Sequence, residues 1–221
     1  MDLLLFAIIF LAFFLAGETL AAFWKPVYSH FLERLVFHTL LGLAAVALLT
    51  TVLAFAGGIY PVTGWIIVAV IFLGSAKIGP SLWQEVSAFR PDLGKIFGND
   101  QTNRGFQWFN ILILAVLVAL ALILALAPPV KTDALVYHLA IPKAYLENHG
   151  IVNLPNNLYS FFPMLFNMVF LFAMTFGVES LPALCGLGMA FLLLMGLGIY
   201  FRQYLSPRLA WFVPVLFFST P

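Results

Sequence analysis

Long apolar runs separated by short polar stretches organise this sequence. Leu3 to Trp24 is interrupted only by Glu18, and further runs cover 35–57, 59–76, 106–127 and 181–201. Crossing a hydrocarbon core about 30 Å thick takes roughly 20 apolar residues, so the pattern predicts five membrane-spanning helices. A sixth apolar run begins at Leu209 and stops at Pro221, short of a span, so the chain reads as the first part of a longer protein. The first run has Asp2 where a cleaved signal peptide has basic residues, and it continues past Gly17. It is therefore expected to be a retained span.

The polar interludes carry the topology. Lys25 and Arg34 lie in the first connector, and the second, 77–105, mixes charges of both signs with Pro, Gly and Asn. Within it LWQEVSAF has the makings of a short interfacial helix, with Trp83 and Phe89 on the membrane side. The third interlude starts at Pro128-Pro129, which ends the preceding helix. The run 158–177 after it is short and contains Pro163 and Asn167. If it crossed, Lys and Arg would divide as six (25, 34, 77, 90, 95, 104) against four (131, 143, 202, 208). If it stays on one side, the division is eight against two, as the excess of positive charge on the cytoplasmic face favours. The expected arrangement is a juxtamembrane helix at 158–177 inside an outer loop of 128–180. The N-terminus and that loop then share the non-cytoplasmic face, and Tyr159, Phe161, Phe162 and Phe166 suit an interface.

Composition agrees. The chain is 63% hydrophobic and 9% charged, with a mean hydropathy of +1.06, far from a soluble domain. A net charge of +1 with no basic stripe gives no case for nucleic acid. The single cysteine, Cys185, can form no intrachain disulfide and reads as a small buried filler.

Candidate chemistry concentrates in 128–157, which holds Lys131, Asp133, His138, Lys143, Glu147 and His149. Thr132 is placed to cap a helix running through ALVYHLAI, and Pro142 then divides that helix into two pieces. Asp133 and Tyr137, four apart, share a face. Asp133 can serve as a base toward a hydroxyl or bind a cation, and it can equally be a helix cap. His138 reads as a hydrogen-bonded interfacial side chain or as a ligand, and Lys131 and Lys143 as solvated groups or anion contacts. His149-Gly150 reads as a helix end, with glycine as the cap. Glu18, a carboxylate near the end of a span, and Glu179 are the other acidic candidates. No glycine-rich phosphate loop, Ser-His-Asp order or spaced metal cluster occurs.

The sequence TDALVYHLAIPKAYLENHGIVNLPNNLYSFFPMLFNMVFL, following a span that ends in Pro-Pro, resembles the first outer loop of GT-C-type membrane glycosyltransferases. These include protein O-mannosyltransferases and lipid A aminoarabinose transferases. The likeness covers roughly 106–221 and is strongest toward relatives whose loop reads D-A-L-x-Y-H-L, then K-x-Y and a glycine. It implies an all-α polytopic fold, with 1–105 a three-span region ahead of a GT-C-like core beginning at 106. It also implies transfer of a sugar from a polyprenyl-phosphate carrier to a lipid, glycan or protein on the non-cytoplasmic face of a bacterial inner membrane. Asp133 matches the acidic residue thought to bind or deprotonate the acceptor, with Tyr137, His138, Lys131 and Lys143 around the substrates. Ala134 stands where many members have a second acid, so the divalent metal used by some is not implied. The family's second acidic position would lie past Pro221. A transporter or lipid flippase using Glu18 and Asp133 is the rival expectation, and a non-enzymatic assembly subunit a third.

Overall fold

The computed structural model describes residues 1–28, 30–79, 82, 104–161, 165–204 and 216–217. Among these residues the regular elements are all helical. They are α1 (Asp2–Ala21), α2 (Phe31–Phe55), α3 (Thr63–Gly74), α4 (Arg104–Leu126), a π turn (Ala134–His138), α5 (Ala140–Glu147), a 3₁₀ turn (Leu158–Phe161), α6 (Leu165–Met174) and α7 (Leu181–Tyr204). Among the described residues three helices, α1, α2 and α7 over Leu181–Phe201, are long and apolar enough to cross a membrane.

Two expected spans differ from the helices found. α2 starts at Phe31, four residues before the apolar run, because Arg34 and His38 face a buried partner on α1. α3 has 12 residues, about 18 Å at 1.5 Å per residue, instead of the expected 59–76. Its first turn is consumed by a loop that Thr63 holds closed. The Thr63 hydroxyl donates to the Gly58 carbonyl at 3.1 Å and accepts the Tyr60 N–H at 2.9 Å. The interfacial helix expected in LWQEVSAF, and all but Leu216 and Phe217 of the run from Leu209, lie outside the described residues.

The antiparallel pair α1–α2 is the base of the bundle. Gly17 packs directly under the His38 carbonyl, and Gly42 under the Phe13 carbonyl. A Cβ at either glycine would occupy the space of the facing backbone, so these residues let the two helices approach at contact distance. α3 runs alongside α1, and Thr19 and Ser75 meet hydroxyl to hydroxyl at 3.3 Å. This alternation places Asp2, Phe55 and Thr63 at one end of the bundle and Ala21, Phe31 and Ser75 at the other.

α6 is the surprise of the fold. It is enclosed by other helices: every residue from Asn167 to Ala173 is buried. Phe172 meets Phe13 of α1 at a ring separation of 5.9 Å, and Thr175, just past the helix, fits against Gly64 of α3. Ten residues span only about 15 Å. The core into which α6 is built takes Ile9 and Phe13 from α1, Val46 and Ala47 from α2, Ile67 and Val68 from α3, Ile141 and Tyr145 from α5, and Leu181 and Cys185 from α7. One core is thus drawn from both sides of residue 105.

Candidate functional site at the loop end of the bundle

The loop after α4 begins as a helix that cannot continue. Pro142 has no N–H, so the carbonyl of His138 cannot be paired in the α-helical register. The backbone widens by one residue before the proline, and the Leu139 N–H reaches back five positions to the Ala134 carbonyl at 2.9 Å. The two pieces expected around Pro142 are present, but the first is a π turn. Two asparagines donate to carbonyls of this turn. Asn157 Nδ2 donates to the Val136 carbonyl at 2.8 Å, and Asn167 Nδ2 to the Tyr137 carbonyl at 3.4 Å.

Asp133 stands at the head of this turn, exposed, with helical backbone angles (φ −59°, ψ −42°) and no side-chain capping bond. The capping reading is therefore not the one found, and the helical backbone already includes Thr132. Tyr137, one turn on, lies close enough to Asp133 for the carboxylate charge to bear on its phenol. Partial burial and then the adjacent Asp133 charge raise the Tyr137 pKa above its ordinary value. The Tyr137 ring stacks on Tyr159 (4.5 Å, 23° between planes) and leans on His138 at 4.2 Å.

His138 is turned toward the bundle. Its Nδ1 lies 3.0 Å from Asn167 Oδ1. Because Asn167 donates its Nδ2 to the Tyr137 carbonyl, its oxygen is the acceptor here, so His138 carries a proton on Nδ1. The Phe170 ring meets it edge-on at 6.2 Å. Lys131 and Lys143 are exposed, one just before Asp133 and the other on α5 beyond Pro142. The structure thus brings Asp133, Tyr137 and His138 together on one turn and leaves the lysines at its margins. Glu179 is exposed beside Ser180, whose hydroxyl donates to Asp2 at 2.8 Å. Among the described residues no group of three His, Cys, Asp or Glu is arranged to hold a metal ion.

His149 and Gly150 exchange the roles expected of them. His149 itself takes the left-handed conformation that ends α5 (φ 60°), and the Gly150 N–H closes the turn on the Tyr145 carbonyl at 2.9 Å. Gly150 is needed for another reason: a side chain there would press on the Ala54 carbonyl at 2.8 Å and on Gly57. His149 exchanges bonds with Ile59, accepting its N–H at 3.0 Å and meeting its carbonyl through Nδ1 at 3.1 Å, and it stacks on Tyr60 at 4.2 Å. The Ile151 N–H reaches the Ala54 carbonyl at 3.0 Å. The catalytic-looking histidine is a clamp between the loop and the α2–α3 turn.

At the opposite end of the bundle lies a network that the reading of Glu18 as a group near the interface did not foresee. Glu18 is 5% exposed and receives two bonds from Arg34, Nε to Oε1 at 2.8 Å and a guanidinium nitrogen to Oε2 at 2.7 Å. His38 Nδ1 sits 2.7 Å from Oε1, a contact of ion-pair length that is out of line for a hydrogen bond. Its Nε2 meets the Tyr28 hydroxyl at 2.8 Å. Burial, and next the Glu18 charge, raise the Tyr28 pKa. The signal in the sequence was the i, i+4 spacing of Arg34 and His38 one short connector after Glu18. Asn167 stood out in the run 158–177, but its partners and the role of Asn157 were not foreseen, although a lone asparagine in an apolar run demands a partner.

Comparison with protein-family models, with curated proteins and with solved structures returned no match to this chain.

Proposed function

We propose that the loop end of this bundle forms part of the acceptor site of a membrane glycosyltransferase. In this reading a sugar passes from a polyprenyl-phosphate donor to a hydroxyl of a lipid, glycan or protein. The observation that carries it is the exposed Asp133 carboxylate, which makes no capping bond and stands one turn from Tyr137 at the head of a π turn. Such turns concentrate at functional sites. The likeness of 106–221 to the first outer loop of GT-C enzymes supports the same position.

Asp133 acts as general base, taking the proton from the acceptor hydroxyl as its oxygen bonds to the anomeric carbon. The bond from that carbon to the phosphate oxygen breaks on the opposite face, so the configuration inverts and the electron pair leaves with the lipid phosphate. Lys131 and Lys143 offset the charge that collects there. His138, protonated on Nδ1 toward Asn167, presents Nε2 to the substrates. The distribution of Lys and Arg favours the non-cytoplasmic face for the loop, and the likeness to GT-C enzymes favours a bacterial inner membrane. The transporter alternative needs Glu18 as an ion or headgroup site, and the two-pronged Arg34 bond occupies that carboxylate.

The test is sugar transfer from a radiolabelled polyprenyl-phosphate donor in membrane vesicles carrying the whole protein. Asp133→Asn is expected to lower kcat by about 100-fold or more, the usual range for a lost general base. Unchanged turnover in that variant would overturn the mechanism.

A further inference from the structure

We infer that Asn157 and Asn167 are positioning residues that set the direction of the Asp133–Tyr137 pair, an inference that rests on the reading of that pair as the acceptor site. Each asparagine uses both ends of its amide and joins the π turn to a different element. Asn157 accepts the Tyr159 N–H at 3.1 Å through Oδ1, opening the 3₁₀ turn, and donates to the Val136 carbonyl at 2.8 Å. Asn167 accepts from His138 Nδ1 at 3.0 Å and donates to the Tyr137 carbonyl at 3.4 Å.

The logic is one of donor supply. In the five-residue register the missing Pro142 N–H would fall to the Tyr137 carbonyl, and the Asn167 amide donates there in a partly buried place, where an unpaired carbonyl costs about 1–3 kcal/mol. The Asn157 bond to the Val136 carbonyl is exposed, so it orients the turn and adds little stability. The anchors differ in kind. Asn167 sits 3% exposed in the enclosed helix α6, a fixed point in the core. Asn157 begins the 3₁₀ turn whose Tyr159 ring stacks on Tyr137. Between them they fix the carbonyl before Tyr137, the carbonyl of Tyr137 and one face of its ring. The phenol so held stands one turn from Asp133, whose charge bears on it. Neither asparagine touches a reacting atom in this arrangement. They act through the tyrosine, and displacement of a reacting group by about 1 Å is enough to cost 100-fold in rate.

The experiment uses Asn157→Ala, at the surface, and Asn167→Leu, in the core, in the whole protein. Ser160→Ala is the control, because it removes a bond to the Asn157 carbonyl at 2.7 Å within the 3₁₀ turn and leaves the π turn untouched. Two quantities are measured. One is the titration of Tyr137, read as the phenolate absorbance difference between each protein and its Tyr137→Phe counterpart. The other is transfer from the polyprenyl-phosphate donor. Expected are a Tyr137 titration moved down toward its ordinary value and a kcat lower by about 10- to 100-fold, with KM within about threefold. Both should be unchanged in Ser160→Ala. Should Asn167→Leu fail to fold, Asn157→Ala decides alone. A Tyr137 titration that superimposes on that of the parent in both asparagine variants, or that moves as far in Ser160→Ala, overturns the positioning role. If Asp133→Asn transfers normally while the asparagine variants still shift Tyr137, the positioning stands and the base assignment falls.

Discussion

At the scale of single residues, the two ends of the bundle use carboxylates in opposite ways. Glu18 is enclosed and matched on both oxygens, whereas Asp133 is exposed at the head of the π turn. Breaking a buried pair leaves an uncompensated charge, which costs several kcal/mol. Arg34 is 24% exposed at its side chain, so water recovers part of that cost. Arg34→Met is accordingly expected to destabilise the protein by about 2 kcal/mol, measured as unfolding in detergent, while Glu18→Gln with Arg34→Met together costs less than either change alone. Tyr137 gives a prediction in pH. Its pKa is raised in the folded protein, so the pair favours the neutral phenol. Its stabilising effect is full below pH 10.0, the ordinary value, and fades as pH rises through the higher folded value. The Tyr137→Phe difference spectrum should therefore show no phenolate at neutral pH and a midpoint above the ordinary one.

At the scale of elements, apolar length was a reliable guide where the helix contains its own instructions. α1, α4 and α7 fall within a few residues of the runs that predicted them. It failed where a partner distant in sequence decides. α3 is shortened by Thr63 closing its own entry loop, and α2 is lengthened because Arg34 and His38 find Glu18. Pro142 announced a break, but one proline is compatible with a kink or a widened turn, and the carbonyls of the widened turn that meet asparagine donors do so 21 and 30 positions further on. His149-Gly150 has the pattern of an ordinary helix end, yet Gly150 is reserved for contact with α2, so the left-handed position falls to the histidine. Of the candidate site, Asp133, Tyr137 and His138 were legible from spacing, and the two asparagines that hold them were not. A prediction at this scale concerns the α1–α2 crossing. Gly42→Val forces the helices apart at the Phe13 carbonyl, and strain of that kind costs about 1–3 kcal/mol. The thermal midpoint should fall, with little effect from Gly198→Val, where a side chain meets open space.

At the scale of the whole molecule, the first three helices acquire a role that the chain order alone did not disclose. They are one wall of the core that encloses α6, and the α2–α3 turn is the surface on which the loop rests. Gly150→Val should lift the loop from that surface while leaving α1 and α2 packed. Limited proteolysis is the measure: cleavage within 128–157 is expected to accelerate about tenfold or more, as the local opening free energy falls by about 1.4 kcal/mol or more. Fragments spanning α1 and α2 should persist.

The His149 clamp also orders events in time. Its partner Ile59 precedes it by 90 positions, and a chain made at about 5–20 residues per second exposes the α2–α3 turn several seconds before the loop is translated. The loop is thus always translated after the turn against which its left-handed histidine rests.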